Sequence, residues 1–425
     1  MSRKMKDSGI GWVGPVPNDW NVIRGKYLFE NDKDIVGSRV EDFERLALTM
    51  QGVIKRSKED NEGLQPDKFD AYQILRTNEL VFKLIDLQNV STSRVGLSPY
   101  TGIVSPAYII LKAKNEIDPR FAEYYYLMMW MRAIFNQLGD AGVRSSLNAS
   151  ELLELSLPLP PLLEQYRIAD FLDKKCSQID EISKKLQEEI KTLEEYKKSV
   201  ITEAVTKGLD PNVEMKDSGI EWIGEIPATW SVSKLGNVLR LRNERNSKPL
   251  EEVNLISLYT DKGVVQHSEL EKTSGNKAQK AEGYKIVHKN DIVVNIILAW
   301  MGAMGISNYN GVTSPAYDVF KIDFNKIVPR YCHYVLRTPA LAAECYKYGR
   351  GIMMMRWRTY SDEFKRIKMP LPSLDEQQHI ADYLDKKCAD IDWIVSQKKE
   401  QINYLDNYKK SLIYEYVTGK KEVAM

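Results

Sequence analysis

Two long segments of the chain, residues 162–206 and 374–418, are rich in Leu, Ile, Glu, Gln and Lys and contain no Gly or Pro. In each segment apolar residues recur every seven positions, which is the pattern of the seam between the helices of a coiled coil. The predicted seam residues are Ile179, Leu186, Leu193 and Val200 in the first segment and Ile391, Leu405 and Leu412 in the second. Lys398 stands where Leu186 stands in the other copy, so the predicted pairing is imperfect.

The length of these segments bears on how they pack. One alternative is that each helix packs only on its own domain. At about 1.5 Å per residue, however, each segment forms a rod of roughly 65 Å, which is too long for one domain to cover. We therefore expect the rods to pack on each other. If they are antiparallel, the chain order of globule, rod, globule, rod places two globules at opposite ends, related by an approximate two-fold axis.

The chain is a tandem duplication. The sequence MKDSGIGWVGPVPNDW at residues 5–20 returns as MKDSGIEWIGEIPATW at residues 215–230, at an offset of 210 positions. Later matches follow in the same order. They are GIVSPAY at 102–108 with GVTSPAY at 311–317, and PLPPLLEQYRIADFLDKKC at 158–176 with PLPSLDEQQHIADYLDKKC at 370–388. A repeat of this length predicts two copies of one structural unit.

The two copies share a framework and differ in certain loops. Residues 55–70 and 143–155 bear little relation to residues 265–283 and 352–364. The shared residues are mostly Gly, Pro, Trp, Tyr and aliphatics, which are types that determine a fold, so the divergent stretches are the candidates for reading different ligands. The repeated tryptophans Trp12, Trp20, Trp222 and Trp230 are predicted to anchor the cores.

We predict a mixed α/β protein: two globular α/β domains, joined and separated by two long helices that form an antiparallel coiled coil, with an internal pseudo-two-fold repeat. The predicted boundaries are a first globular domain at 1–161, a central spacer helix at 162–206, a linker at 207–220, a second globular domain at 221–373, and a distal spacer helix with a C-terminal tail at 374–425.

Composition constrains the partners. With 43% hydrophobic and 28% charged residues, the chain has the balance of an ordinary globular protein. Its formal net charge is +1, so the basic excess that is typical of nucleic-acid binders is absent from the total. Lys and Arg number 17 against 20 Asp and Glu in residues 17–160, but 22 against 15 in residues 221–372. Only the second copy carries a basic excess.

Several classes of site are not predicted. Cysteines stand at 176, 332, 345 and 388, with no CxxC pair and no zinc-type spacing to the four histidines, so we expect neither a metal nor a disulfide. There is no G-x-x-x-x-G-K-[ST] phosphate-binding loop. The N-terminus lacks an apolar signal segment, and the longest nearly apolar run, residues 292–306, is shorter than the roughly 18 residues of a membrane span. We expect a cytoplasmic protein with no membrane contact.

Taken together, the paired openings KDSGI-W-G-IP-W, the paired SPAY segments and the paired PLP-x-x-EQ-x-x-IA helix starts resemble the specificity subunits of Type I restriction–modification systems. The resemblance covers essentially the whole chain. It implies a non-catalytic, sequence-specific DNA-binding subunit with two target recognition domains. Each domain would read one half of a bipartite, asymmetric site in double-stranded DNA, and the helical spacers would set the gap between the halves.

The resemblance also implies partners. Two modification subunits, which bind S-adenosylmethionine and methylate adenine, would dock on the spacer helices and nearby domain surfaces. Restriction subunits would translocate and cut DNA using ATP and Mg. We expect no cofactor on this chain itself. We also expect weak, salt-sensitive DNA binding by the isolated chain, because so balanced a surface neutralises few phosphates.

Direct readout of bases requires polar or cationic side chains on loops that reach the base edges. The divergent loops supply such residues. The candidates are Gln51, Lys55, Arg56, Lys58, Ser91, Thr92, Ser93, Arg94, Arg144, Ser145, Ser146 and Asn148 in the first copy, and Thr260, Lys262, Lys277, Lys280, Arg350, Arg356 and Arg358 in the second. Trp300 and Trp357 are possible packing or stacking groups, and the triplet Met353–Met355 is either buried core or an apolar wedge.

Two other functions remain open at this point. The chain could be a coiled-coil scaffold with two protein-binding heads, or a degenerate nuclease built around Asp67, Glu79 and Lys83. The nuclease alternative requires a metal ligand set, and the spacing of these residues does not indicate one.

Overall fold

The fold was analysed in a computed structural model, which describes residues 3–60, 68–85, 87, 94–138, 146–260, 262–267, 280–351 and 357–423. The chain divides into two compact units. The first unit contains residues 1–186 and 399–425, and the second contains residues 187–398. We call the globular parts of these units, residues 3–161 and 208–373, the first head and the second head.

The first head is built mainly from short strands with a few helices. Its elements are β1 (Met5–Lys6), β2 (Val16–Pro17), β3 (Asn21–Arg24), α1 (Gly25–Leu28), β4 (Phe29–Glu30), β5 (Arg45–Thr49), β6 (Gly52–Arg56), β7 (Gln73–Leu75), β8 (Leu80–Phe82), β9 (Val95–Leu97), β10 (Gly102–Val104), β11 (Ile109–Ala113), α2 (Pro119–Met131), α3 (Ile134–Leu138), α4 (Ala149–Glu154) and β12 (Ser156–Leu159). Two four-stranded sheets, of order β6-β5-β10-β7 and β4-β11-β8-β9, form its framework.

The second head repeats this plan. Its elements, with the long helix α5 that precedes them and the long helix α9 that follows, are α5 (Leu162–Lys207), β13 (Met215–Asp217), β14 (Glu225–Pro227), β15 (Ser231–Lys234), β16 (Leu239–Leu241), β17 (Ile256–Tyr259), β18 (Gly263–Gln266), β19 (Lys285–Val287), β20 (Ile292–Asn295), β21 (Met304–Ile306), β22 (Gly311–Thr313), β23 (Tyr317–Ile322), α6 (Pro329–Leu336), α7 (Pro339–Tyr348), α8 (Ser361–Phe364), β24 (Lys368–Leu371) and α9 (Leu374–Val417). The sheet β16-β23-β20-β21 corresponds to β4-β11-β8-β9.

The cores agree with the predicted anchors. Trp20 is fully buried in the first core and Trp230 is 1% exposed in the second, whereas Trp12 and Trp222 pack at the core margins. Burying side chains of this size removes a large apolar area from water, at about 25 cal/mol per Å². The repeated Trp of each opening motif therefore stabilises the start of its head.

Local sequence explains where the long helices begin and end. The hydroxyl of Ser373 accepts a hydrogen bond from the Glu376 amide, 3.3 Å away, so it caps the first turn of α9. The other long helix, α5, ends before Gly208, whose φ is +77°. Glycine adopts this left-handed conformation, which terminates helices, without steric strain.

Within each unit the two long helices run antiparallel. In the first unit the rings of Phe171 and Tyr416 lie 4.4 Å apart, and further along α5 Asp180 binds Lys409, which is earlier in α9. In the second unit Glu189 pairs with Lys398, and Lys197 pairs with Asp392. Rising residue numbers in α5 thus meet falling numbers in α9, as the predicted fold class requires.

Burial follows the seven-residue pattern. Four of the predicted seam residues are buried and three are partly buried. The buried ones are Ile179, Val200, Ile391 and Leu412, and the partly buried ones are Leu186, Leu193 and Leu405. Lys398 is accommodated because its amine reaches Glu189 at the edge of the seam, while its side chain stays 23% exposed.

The predicted α/β architecture with two long paired helices is confirmed. The predicted domain boundaries remain a prediction. The division of the chain into two compact units does not separate the long helices from the heads. Each unit contains a section of α5 and a section of α9 together with one head.

Candidate nucleic-acid interface

The hairpin of β5 and β6 presents Gln51 at its tip. A two-residue turn, Met50 and Gln51, joins the strands, and both side chains are exposed. Thr49 closes this turn. Its hydroxyl accepts a hydrogen bond from the Gln51 amide at 3.1 Å and donates one to the Gly52 carbonyl at 3.0 Å. The tip of the first hairpin is therefore held by its own residues.

The three cations that follow Gln51 are all paired with carboxylates. The pairs are Lys55 with Glu44 at 2.5 Å, Arg56 with Asp60 at 2.6 Å and Lys58 with Glu41 at 3.1 Å. The hydrogen bond that Lys55 donates to Glu44 raises the pKa of Lys55, which stays charged. A phosphate that binds here must compete with these carboxylates, so this surface contributes little non-specific attraction.

The equivalent hairpin of the second head, β17 and β18, has a tip one residue longer. Three residues separate Tyr259 from Gly263, and Thr260 and Lys262 are exposed. Gly263 has a φ of +72°, which a side chain would disfavour. Lys280, at the far end of this divergent segment, is also exposed, and within the described residues no ion pair involves Lys262 or Lys280. The second head thus presents an exposed lysine at each end of this divergent segment.

A second divergent segment of the second head emerges from a pinned base. Arg350 and Arg358 exchange two backbone hydrogen bonds, of 2.9 and 3.0 Å. Trp357, which precedes Arg358, stacks on Tyr346 with ring centroids 5.0 Å apart. The backbone amide of Thr359, which follows Arg358, binds the Ile296 carbonyl at 2.9 Å. Trp357 is thus a packing group that rigidifies the position from which two arginines project.

The corresponding segment of the first head is pinned in a similar way. Ser146 forms an isolated bridge with Ile85, and the Leu147 amide binds the Leu84 carbonyl at 2.9 Å. Asn148 has a structural role, because its side chain accepts a hydrogen bond from the Glu151 amide at 3.0 Å and caps α4. Both heads therefore present their divergent segments on bases that hydrogen bonds hold in place.

One candidate is placed away from the surface. Arg94 is only 2% exposed, at the start of β9. A guanidinium so buried cannot reach a base edge from this position, which argues against Arg94 as a DNA-contacting residue. The signal that could have shown this is its place directly before the apolar strand β9. Other candidates lie outside the described residues: Ser91, Thr92, Ser93, Arg144, Ser145, Lys277, Arg356 and the triplet Met353–Met355.

A buried glutamine joins each head to the long helix that follows it. Gln165 is fully buried; its side-chain oxygen accepts from the Asp118 amide at 2.8 Å, and its nitrogen donates to the carbonyls of Glu116 and Pro160 at 3.1 and 2.9 Å. The Gln377 side chain makes the same three contacts in the second unit. These bonds fix the direction in which each helix leaves its head.

The preceding glutamate of the same motif reinforces this joint. The indole nitrogen of Trp20 donates to Glu164 at 3.0 Å, and that of Trp230 donates to Glu376 at 2.9 Å. The repetition of this Glu-Gln pair in both copies was the signal in the sequence that could have indicated its role. The repeated motifs thus meet in one structure, a rigid connection between head and helix.

The described residues do not suggest a reactive centre. No group of three or more His, Cys, Asp or Glu side chains suited to a metal ion occurs among them. All four cysteines are buried, and burial raises the pKa of Cys176 to about 11 and that of Cys332 to about 12, which disfavours the reactive thiolate. No helix in the described part of the chain is long and apolar enough to span a membrane.

Two heads of one α/β fold, each joined to the paired long helices and each presenting different polar loops, define a modular recognition protein. The chain matches the family model of the Type I restriction modification DNA specificity domain over residues 50–192 and 227–404, and it belongs to this family. The resemblance inferred from the paired motifs is confirmed. Members of the family give Type I restriction–modification complexes their DNA-sequence specificity.

Individual relatives extend the match over the whole chain. The putative type I restriction enzyme MjaX specificity subunit of Methanocaldococcus jannaschii is 25% identical over 97% of this chain and 96% of its own length. In structure, a chain from work on complex assembly and conformational transition of the type I R-M system superposes with a TM-score of 0.70 at 14% identity, covering 96% of this chain and 99% of that one. The HsdS subunit from Thermoanaerobacter tengcongensis superposes at 0.50 with 16% identity, covering 96% and 98%. These likenesses show the shared fold.

Proposed function

We propose that this chain reads a bipartite, asymmetric site in double-stranded DNA, one half-site with each head, and that the paired long helices set the gap between the half-sites. The observation that carries the proposal is the duplicated joint. Gln165 and Gln377 tie each head to its helix through identical contacts, whereas the hairpin tips of the two heads differ in length and composition. A shared frame with different reading loops suits two unlike half-sites at a fixed separation.

The residues proposed to read DNA are the exposed and partly exposed candidates of the hairpins and pinned segments. In the first head these are Gln51, Lys55, Arg56 and Lys58 in and after the hairpin, and Ser146 in the second divergent segment. In the second head they are Thr260, Lys262, Lys280, Arg350 and Arg358. The candidates that lie outside the described residues, Ser91, Thr92, Ser93, Arg144, Ser145, Lys277 and Arg356, belong to the same proposal on sequence grounds.

We further propose that modification subunits dock on the long helices. Large apolar side chains are exposed on both of them, and exposed apolar surface is typical of protein interaction sites. In the first unit these are Ile182, Tyr404 and Tyr408, and in the second they are Tyr196, Tyr383 and Trp393. Tyr404 is 72% exposed and Trp393 is 66% exposed, so both rings are accessible to a partner subunit. S-adenosylmethionine, ATP and Mg would be bound by partner subunits, with cleavage carried by restriction subunits.

A co-purification experiment tests the docking surface. Trp393→Ala and Tyr404→Ala should each reduce capture of the cognate modification subunit by the full chain. Tyr27→Ala is the matched control, because Tyr27 is 64% exposed but lies on the first head. Equal capture by all three variants would place the docking surface elsewhere.

We propose that the chain has no catalytic role of its own. The residues that the two copies share are engaged in the fold: the tryptophans in the cores and the Glu-Gln pairs in the joints. A cytoplasmic location belongs to the proposal that the chain reads DNA, because the DNA target would lie there.

Genome-wide mapping of methyladenine in the host, with and without this chain, tests the central proposal. We expect a bipartite methylated motif that disappears without the chain. Removing seven residues from each long helix at matching positions should change the gap and leave both half-sites unaltered. A methylome that does not depend on the chain would favour a scaffold with two protein-binding heads instead.

The charge distribution supports a separate expectation for the isolated chain. The carboxylates that pair with Lys55, Arg56 and Lys58 oppose phosphate binding, so affinity should be low and salt-sensitive until the modification subunits are present. A gel-shift series across salt concentrations measures this. Nanomolar specific binding by the chain alone at physiological salt would contradict it.

A further inference from the structure

The second head contains a brace that the first head lacks. Arg337 follows the last residue of α6, and its two terminal nitrogens point in different directions. One donates to the Met304 carbonyl of β21 at 3.2 Å, and the other donates to the Thr260 carbonyl at the tip of the β17–β18 hairpin at 3.0 Å. A single side chain therefore connects a helix end, a core strand and a hairpin tip that are far apart in sequence.

One turn earlier on α6, His333 contacts the same strand. The ring nitrogen Nδ1 of His333 accepts a hydrogen bond from the Ile306 amide at 3.3 Å. Together His333 and Arg337 hold both ends of β21 against the helix, so the strand is a firm base for the hairpin tip. The planar guanidinium has donors in fixed directions, which makes it better suited than an ammonium to hold two carbonyls at once.

The first head keeps one half of this arrangement. Glu123 stands at the position of His333, and its carboxylate accepts a hydrogen bond from the Leu97 amide at 2.8 Å, just as His333 accepts from Ile306. The position of Arg337 is occupied by Leu127, which cannot donate. The shorter tip of the first hairpin needs no such donor, because Thr49 closes it locally. The Arg337 brace therefore occurs in the second head, whose hairpin tip is one residue longer.

We propose that Arg337 is a positioning residue that determines how the second head reads its half-site, by holding the hairpin tip with Thr260 and Lys262 in one pose. This inference rests on the proposed function. A reading group must be held to within about 0.5 Å to discriminate between base edges. The backbone of a turn residue has several accessible conformations, and the bond from Arg337 to the Thr260 carbonyl selects one of them.

Substitutions of Arg337 should have effects that the loss of another positive charge in the same head does not have. Arg337→Leu introduces the residue that the first head has at this position. Arg337→Lys keeps the charge but loses the two-pronged geometry. Lys347→Leu is the matched control, since it removes a 61% exposed cation from the same head without touching the hairpin.

Hydrogen exchange of the purified full chain measures the pose directly. In Arg337→Leu the amides of Thr260 and Lys262 should exchange about tenfold faster than in the wild type, with Arg337→Lys in between. The amides of Gln51 and Gly52 in the first head should not change. Unaltered exchange at Thr260 and Lys262 in Arg337→Leu would overturn the brace.

Methyladenine mapping in cells then tests the consequence for reading. We expect discrimination to fall about tenfold at one or more positions of one half-site in Arg337→Leu, with the other half-site and the gap unchanged. Faster exchange with an unaltered motif would overturn the inference, since the tip would not read bases. If the wild-type chain gives no bipartite motif, the proposed function fails, while the exchange result still decides whether Arg337 holds the tip.

Discussion

Lys197 of α5 pairs with Asp392 of α9 at 2.6 Å, and the equivalent residues of the two helices form a second pair. Lys409 lies 212 positions after Lys197 and Asp180 lies 212 positions before Asp392, so in the second pair the lysine is on α9 and the aspartate is on α5. In that second instance Asp180 of α5 binds Lys409 of α9 at 2.7 Å. The duplication has thus placed one ion pair in each unit. Because each pair joins a fixed residue of one helix to a fixed residue of the other, the two pairs specify the antiparallel register within both units.

Reversing one charge of this pair should destabilise the protein modestly. Asp392→Lys places two ammonium groups together, and we expect a loss of about 1 kcal/mol in the free energy of unfolding, since the carboxylate is 62% exposed and largely screened. The double variant Lys197→Asp with Asp392→Lys should restore most of the loss. Urea unfolding measures both, and Asp390→Lys, on an exposed face of the same helix, is the control. Failure of the exchanged pair to recover stability would show that the contact itself is unimportant.

The buried glutamines should matter far more than their exposed neighbours. Gln165→Ala leaves the Asp118 amide and the carbonyls of Glu116 and Pro160 without their partner in the interior. We expect a cost of about 2–4 kcal/mol, from buried polar groups that lose their hydrogen bonds. Gln178→Ala, at an exposed position of the same helix, should cost less than about 0.5 kcal/mol. Equal effects of the two substitutions on thermal unfolding would show that the hydrogen bonds of Gln165 do not stabilise the connection between head and helix.

The shared glycine of the SPAY segments is required by close backbone approach. A Cβ on Gly102 would lie 2.5 Å from the carbonyl oxygen of Glu44, and one on Gly311 would meet the Asn254 carbonyl at similar range. Gly102→Ala and Gly311→Ala should therefore each cost about 2 kcal/mol through strand displacement. Gly11→Ala is the control, because a Cβ there meets no atom within 4 Å in the described part of the chain. A neutral Gly102→Ala in chemical denaturation would contradict this explanation.

Glu123 and His333 occupy equivalent positions but should respond to pH in opposite ways. Burial, reinforced by Asp173, raises the pKa of Glu123 from 4.5 to about 7. Burial and the nearby Arg337 lower the pKa of His333 from 6.5 to about 4, against an opposing effect of Asp385. Between pH 4.5 and 7 the folded first head holds a proton that the unfolded chain releases, so its stability falls as pH rises. The second head loses stability as pH falls from 6.5 to 4, because the unfolded histidine takes up the proton.

Hydrogen exchange at several pH values can follow the two heads separately. Glu123→Gln should abolish the decline of the first head with rising pH, and His333→Gln should abolish the decline of the second head with falling pH. Glu59→Gln removes a carboxylate as Glu123→Gln does, but at an exposed position, and should have neither effect. Parallel pH responses of the two heads in the wild-type chain would show that these groups do not control their stability.

The contact candidates show how far loop divergence can guide prediction. Divergence between copies singled out the tips of two hairpins and the segments near Ser146 and Arg350. Gln51, Thr260, Ser146 and Arg350 are exposed in the structure, and their contacts with DNA stay a prediction. Divergence does not hold as a guide for Arg94, which is buried although it lies beside a variable loop, because it directly precedes the buried strand β9. It also missed Arg337, whose partner Thr260 lies 77 residues away.

Sequence alone determined the features that repeat at short or constant spacing. The duplication at an offset of about 210 residues indicated two heads, the seven-residue apolar pattern indicated two long helices, and the paired motifs indicated the family. Repetition and periodicity can be recognised from the order of the residues, without knowledge of which segments meet in space. Only the tertiary structure decided which polar side chains became structural. Gln165 reaches backbone groups up to 49 positions away, and no spacing rule relates such residues, since burial and hydrogen bonding depend on where distant segments meet.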